Sequence, residues 1–155
     1  MKIFFSIFIS VIVTVEDAIL QVQMNASVFT KIVKGELPCH KVYEDDKTLA
    51  FMDIHPVTPG MVVVVTKQQV ANFEDLDDET YVALWSAVKK VAKKLKGSFP
   101  DAKKIAVRVE GFDIPDHTHV KLFPLITGRE LEVHPDFSAE PDHEALAAMA
   151  ERLAS

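Results

Sequence analysis

Hydrophobic residues along this chain change period several times, and each change predicts an element. Val28, Phe29, Ile32 and Val33 recur at helical spacing, with Ser27 placed as an N-cap and Gly35 as a stop. They predict a short helix opening at Asn25 or Ser27. Lys41-Val42-Tyr43 and Thr48 to Ile54 flank the polar run Glu44-Asp45-Asp46-Lys47, the pattern of a β-hairpin. Pro56, Pro59 and Gly60 break the chain. Met61 to Val65 is then continuously apolar and rich in valine, as expected of a central strand covered on both faces. Acidic residues Asp75 to Glu79 precede a helical stripe of Tyr81, Leu84, Trp85, Val88, Val91, Ala92 and Leu95, which Gly97 should close. Ile105 to Val109 alternates as a strand, and Gly111 to Pro115 turns into a second strand bracketed by Pro115 and Pro124. The chain is polar and irregular up to about Pro141, after which Leu146, Met149, Ala150 and Leu153 predict an amphipathic C-terminal helix.

Composition adds three constraints. A chain of 155 residues, 48% of them hydrophobic, suits one compact domain with a sizeable core. A net charge of −6 argues against nucleic acid as a partner, which requires a basic footprint. The lysines from Lys89 to Lys96 therefore read as a solvated helix face. One cysteine, Cys39, excludes an internal disulfide and fits a reducing, cytoplasmic setting. Residues 1–23 form a separate apolar N-terminal extension, and residues 24–155 the domain. Lys2 precedes an apolar run from Ile3 to Val15 that falls short of the roughly 20 residues a membrane helix needs. A leader or anchor, a start at Met24 with the preceding residues non-native, and an ordered element are three readings of it. A membrane becomes a partner only under the anchor reading.

Chemistry concentrates in Ile114-Pro115-Asp116-His117-Thr118-His119-Val120-Lys121-Leu122-Phe123-Pro124. On a strand, residues two apart share a face, so His117, His119 and Lys121 should point together with Val120 and Leu122 buried behind them. Two imidazoles and an ammonium on one surface can attack and hold an anion. An ordinary solvated strand face is the plainer alternative.

Four stretches in order resemble the histidine-triad (HIT) family. Phe29-Thr30-Lys31-Ile32-Val33-Lys34-Gly35-Glu36-Leu37-Pro38 resembles its opening helix, and Tyr43 to Asp46 with Leu49 to Pro56 resembles its hairpin. Thr58-Pro59-Gly60 leads the buried strand, and His117-Thr118-His119-Val120-Lys121-Leu122 stands at the motif His-φ-His-φ-His-φ, in a variant His-x-His-x-Lys form. The resemblance implies an α+β fold: an antiparallel sheet with one long central helix, a short N-terminal helix and a C-terminal helix, paired into a homodimer. It implies a purine nucleotide or nucleotide conjugate as ligand, hydrolysed or transferred at the α-phosphate. By resemblance His119 is the nucleophile, forming a transient nucleotidyl-histidine. The His117 backbone orients it, and Lys121 takes the place of the third histidine. An imidazole is a competent nucleophile near its unperturbed pKa of roughly 6.5. Phe29, Ile32, Leu37, Phe51 and Ile54 correspond to the base pocket, and Asp53 to the carboxylate that accepts from the ribose hydroxyls.

Several positions depart from the family pattern. Besides Lys121, Met61 replaces a histidine after the Pro-Gly, and Asp116 stands where an apolar residue or proline precedes the first histidine. Ser27 and Thr30 occupy the place of a zinc-binding Cys-x-x-Cys, so no metal or other cofactor is expected. The Asn and the Gly-Gln-Ser segment of the family's nucleoside phosphoramidases are missing between Val109 and His117. Two other functions compete with the nucleotide hydrolase or transferase: a nucleotide-binding sensor or interaction module with little turnover, and a divalent-metal hydrolase using His117 and His119 as ligands.

Overall fold

The structure, a computed structural model, describes residues 26–155. The N-terminal extension, Met24 and a helix start at Asn25 lie outside the described residues. Helix α1 spans Val28–Val33, strand β1 Lys41–Glu44, β2 Thr48–Met52 and β3 Val62–Thr66. Helix α2 spans Asp78–Ser98, β4 Lys104–Arg108, β5 His119–Leu125 and α3 His143–Ala154. Short 3-10 turns at Phe73–Asp75 and Arg129–Glu132 complete the order.

The strands form one antiparallel sheet in the order β1-β2-β3-β5-β4. The β1–β2 turn closes on Asp45, whose Oδ1 accepts from the Lys47 and Thr48 backbone N–H groups and from the Thr48 hydroxyl. The valine run behaves as expected, with every residue of β3 buried. Its pleat divides the core in two. Val62 and Val64 join Ala50, Met52, Val120 and Leu122 in a cluster closed by Leu84, Val88, Val91 and Leu95 of α2 and by Leu146, Ala150 and Leu153 of α3. Val63 and Val65 face the other way, into a smaller cluster with Leu49, Phe51 and Phe29 of α1.

Helix ends follow local chemistry. The Ser27 hydroxyl caps α1 by accepting from the Thr30 N–H, and Gly35 takes φ 75°, the left-handed conformation that stops a helix. Asp77 caps α2 by accepting from both the N–H and the hydroxyl of Thr80.

Several boundaries differ from the sequence reading, the second hairpin strand ending at Met52 rather than Ile54 among them, and three have a clear physical reason. Gly97 does not close α2, which runs on to Ser98 with Phe99 at its C-cap, because a single glycine in a helix costs only about 1 kcal/mol. Pro124 lies inside β5 rather than ending it. The β3–β5 pairing stops at Val62–Leu122, so Pro124 is flanked by β4 alone, and a strand tolerates proline on its unpaired side. His117 stands before β5, in the turn that feeds it.

Candidate active site

The pleat of β5 sends Val120 and Leu122 into the main core, and therefore His119 and Lys121 to the opposite face. There they lie beside Val65 and Val63 of the central strand. Both are buried, as is His117, so the solvated-face alternative does not describe them.

His117 is held at both ring nitrogens. Its Nε2 lies 2.7 Å from the Thr66 carbonyl oxygen, which can only accept, so Nε2 carries the proton. Nδ1 is then an acceptor, 2.7 Å from the Ser27 hydroxyl and 3.2 Å from that of Thr30. Thr30 donates instead to the Gln69 side-chain oxygen, which leaves the Ser27 hydroxyl for the imidazole. Burial lowers the His117 pKa, outweighing the bond to Thr66, with His119 adding a smaller push in the same direction. The ring is a neutral structural pin. A hydroxyl pair thus occupies the position for which the family resemblance names zinc-binding cysteines.

The pin fixes its own backbone, and through it the second histidine. The His117 carbonyl oxygen accepts from His119 Nδ1 at 2.8 Å. With that proton placed, His119 Nε2 is the ring nitrogen left free of the backbone. The Phe29 ring packs edge-on against His119, with centroids 5.1 Å apart, and restricts its rotation.

Across from Nε2 stands a residue the sequence reading missed. The loop between β4 and β5 folds back over the site and brings the Asp113 carboxylate within 3.2 Å of His119 Nε2 through Oδ1. Its other oxygen accepts from Lys121 Nζ at 2.5 Å, and Glu110 lies 3.7 Å from the same ammonium. The Lys121 side chain is only 4% exposed and that of Asp113 26%. Burial raises the Asp113 pKa, but the hydrogen bond and charge of Lys121, with a smaller contribution from His119, bring it below the usual carboxylate value. The missed signal was the lysine itself. A buried ammonium needs a counter-charge, and the nearest acids in the chain are in that loop.

Of the residues assigned to a base pocket, Phe29, Phe51 and Ile32 come together beside His119. Leu37 is 38% exposed and outside that cluster. Ile54 is 46% exposed and lines a different cavity of about 270 Å³, between the β2–β3 loop and α3. Asp53 uses Oδ1 to accept from the His55 N–H at 2.9 Å, capping the turn. A second cavity, of about 380 Å³, opens beside His119 between Ala71–Glu74 and the β4–β5 loop. No group of three or more metal-binding side chains occurs among the described residues.

The fold and the site define a small α+β domain with an oriented imidazole and a buried lysine on one strand of an antiparallel sheet. The HIT-domain profile matches residues 34–128, and the chain belongs to the HIT family. It is 34% identical over 97 residues to the adenosine 5′-monophosphoramidase of Schizosaccharomyces pombe, covering 63% of this chain and 72% of that protein. It is 30% identical over 113 residues to an adenylylsulfatase of Arabidopsis thaliana, covering 71% of this chain and 56% of that longer protein. A Hit-like protein of Bartonella henselae superposes with a TM-score of 0.73 at 31% identity, covering 84% of this chain and 95% of the other.

Proposed function

We propose that this chain is a nucleotide hydrolase or nucleotidyl transferase that works at the α-phosphate of a purine nucleotide conjugate through His119. The observation that carries the reading is the His117–His119 arrangement, which holds Nδ1–H of the second ring on a backbone carbonyl and turns Nε2 to the same carboxylate that pairs with the Lys121 ammonium. Relatives named for cleaving a phosphoramidate and an adenylyl sulfate support it, since the two leaving groups differ while the nucleotide side is common.

In the first step the His119 Nε2 lone pair attacks phosphorus. The bond to the leaving group breaks, its electron pair departs with that group, and solvent supplies the proton. Lys121 pairs with the phosphoryl oxygens, where its charge stabilises what develops in the transition state. In the second step water attacks phosphorus, the phosphorus–nitrogen bond breaks, and the pair returns to Nε2. A nucleoside monophosphate and a proton leave. Phe29, Ile32 and Phe51 form the apolar wall for the base, and the proposed ribose contact is Asp53, whose Oδ1 already accepts from the His55 N–H. Among the described residues β4 is an edge strand, and its position, with Val107 exposed and Val109 just beyond it, supports a homodimer, and the single Cys39 a cytoplasmic location.

The test is trapping. Incubate the protein with a dinucleoside polyphosphate, a nucleotidyl sulfate and an aminoacyl-AMP in turn, quench without acid, and measure intact mass. An acid-labile adduct of one nucleotidyl group, absent in His119→Ala, is expected. Tight nucleotide binding with neither adduct nor turnover would replace this reading with that of a binding module.

A further inference from the structure

The Asp113 carboxylate occupies the place where the proposed function puts a phosphoryl group. One of its oxygens faces His119 Nε2 and the other accepts from Lys121, so it makes the two contacts expected of a bound anion. Both His119 nitrogens then face acceptors, the His117 carbonyl and this carboxylate. That pairing is complete only when the ring carries two protons, and a doubly protonated imidazole has no lone pair to attack with. Phosphorus and Asp113 cannot occupy the space together. The carboxylate must therefore leave before reaction.

The loop is built to allow this. Gly111 takes φ 71°, which lets the chain reverse between Glu110 and Asp113, and Phe112 is 91% exposed, so its ring anchors nothing. Gly111, Phe112 and Pro115 also wall the cavity beside His119. Moving the loop would enlarge that cavity as it bares the nucleophile. Beyond Asp113, Ile114 packs on the Phe29 cluster and Thr118 donates its N–H to the Val70 carbonyl, which anchors the C-terminal end of the loop.

We propose that Asp113 is a specificity-determining residue: a substrate-mimicking carboxylate that a ligand displaces only if it brings its own anionic phosphoryl group. The inference rests on the reading of His119 and Lys121 as the phosphoryl site. A phosphorylated ligand replaces the carboxylate contact by contact and opens the site. An uncharged nucleoside has nothing to offer Lys121 and leaves the carboxylate in place. The arrangement keeps the nucleophile covered until the correct charge arrives.

Binding of AMP and adenosine, and of GMP and guanosine as a second pair, to the full chain tests this by calorimetry. The comparison is between the parent protein, Asp113→Asn and Asp113→Ala. Removing the competing charge should tighten nucleoside monophosphate binding roughly tenfold or more, as befits a lost charge-assisted contact. Nucleoside binding should stay within about twofold, because nucleosides do not compete with Asp113, and so it also reports an intact fold. Hydrogen exchange in residues 109–116 of the parent should rise on adding the monophosphate and not on adding the nucleoside. Unchanged or weaker monophosphate binding in both variants overturns the proposal, as does equal tightening for nucleosides. Failure of the covalent mechanism is read separately, by the missing adduct, since displacement of Asp113 requires only binding. Absence of monophosphate binding in the parent and both variants would remove the phosphoryl site and the proposal together.

Discussion

Replacing Ser27 by alanine should cost far more than a serine next to a six-residue helix suggests. Its hydroxyl accepts from the Thr30 N–H at 3.0 Å and meets His117 Nδ1 at 2.7 Å. Losing the cap costs about 1 kcal/mol. Leaving a buried ring nitrogen without its donor costs about 1–3 kcal/mol. Thr30 can recover part of this, because its hydroxyl is 3.2 Å from the same nitrogen, but only by turning away from Gln69. The net expectation is a loss of about 2–3 kcal/mol by urea denaturation at pH 7.5, or roughly 5–15 °C in Tm for a domain of this size. Ser27→Thr keeps the hydroxyl and should restore most of it. Because His117 sets His119 through its backbone carbonyl, Ser27→Ala should also lower kcat while leaving KM nearly unchanged. A stability loss under about 0.5 kcal/mol, or Ser27→Thr no better than Ser27→Ala, would refute the pinned-histidine account.

Three other outcomes are expected. The His117 pKa is lowered in the fold, so its contribution to stability is fully present above the unfolded value near 6.5 and is lost as pH falls below it; urea denaturation should show up to about 1.4 kcal/mol less stability per pH unit there, from this residue. A flat profile between pH 7.5 and 5 would contradict a neutral, buried ring. Lys121→Ala should lower kcat about tenfold to a hundredfold, with Lys121→His recovering part; the effect is read on kcat because losing the ammonium also frees Asp113 and so alters affinity. Asp53→Ala should weaken ribonucleotide binding more than deoxyribonucleotide binding, and equal losses would assign the residue to the His55 turn alone.

How much could be read from the sequence depended on whether a signal was local. Val62 to Val65, the Asp45 hairpin and the Ser27 cap announce themselves within a few residues, and each formed where expected. His119 and Lys121 shared a face because β5 is regular there, whereas His117 lies ahead of the strand and is held by groups at positions 27 and 66. No alternation rule contains that. Pro124 was misread because its tolerance depends on where a different strand ends. Ile54 follows β2 and faces α3, more than 80 residues later in the chain, so its surroundings were set by a helix the local pattern could not position. Asp113 is the sharpest case. Nothing in Gly-Phe-Asp-Ile-Pro marks a carboxylate aimed at a histidine six residues on until the loop is folded back over the sheet.

The strand order has a consequence for how this protein is made. β3 needs β5 as its second neighbour, yet α2, β4 and the Asp113 loop are synthesised between them. Until His119–Leu125 emerges, the nascent chain carries Val62-Val63-Val64-Val65-Thr66 as an open sheet edge, short of charge and free of proline. Such an edge recruits other chains. Ribosomes that stall before residue 119 would therefore release an aggregation-prone fragment, and the strand that brings His119 is also the one that makes the product safe.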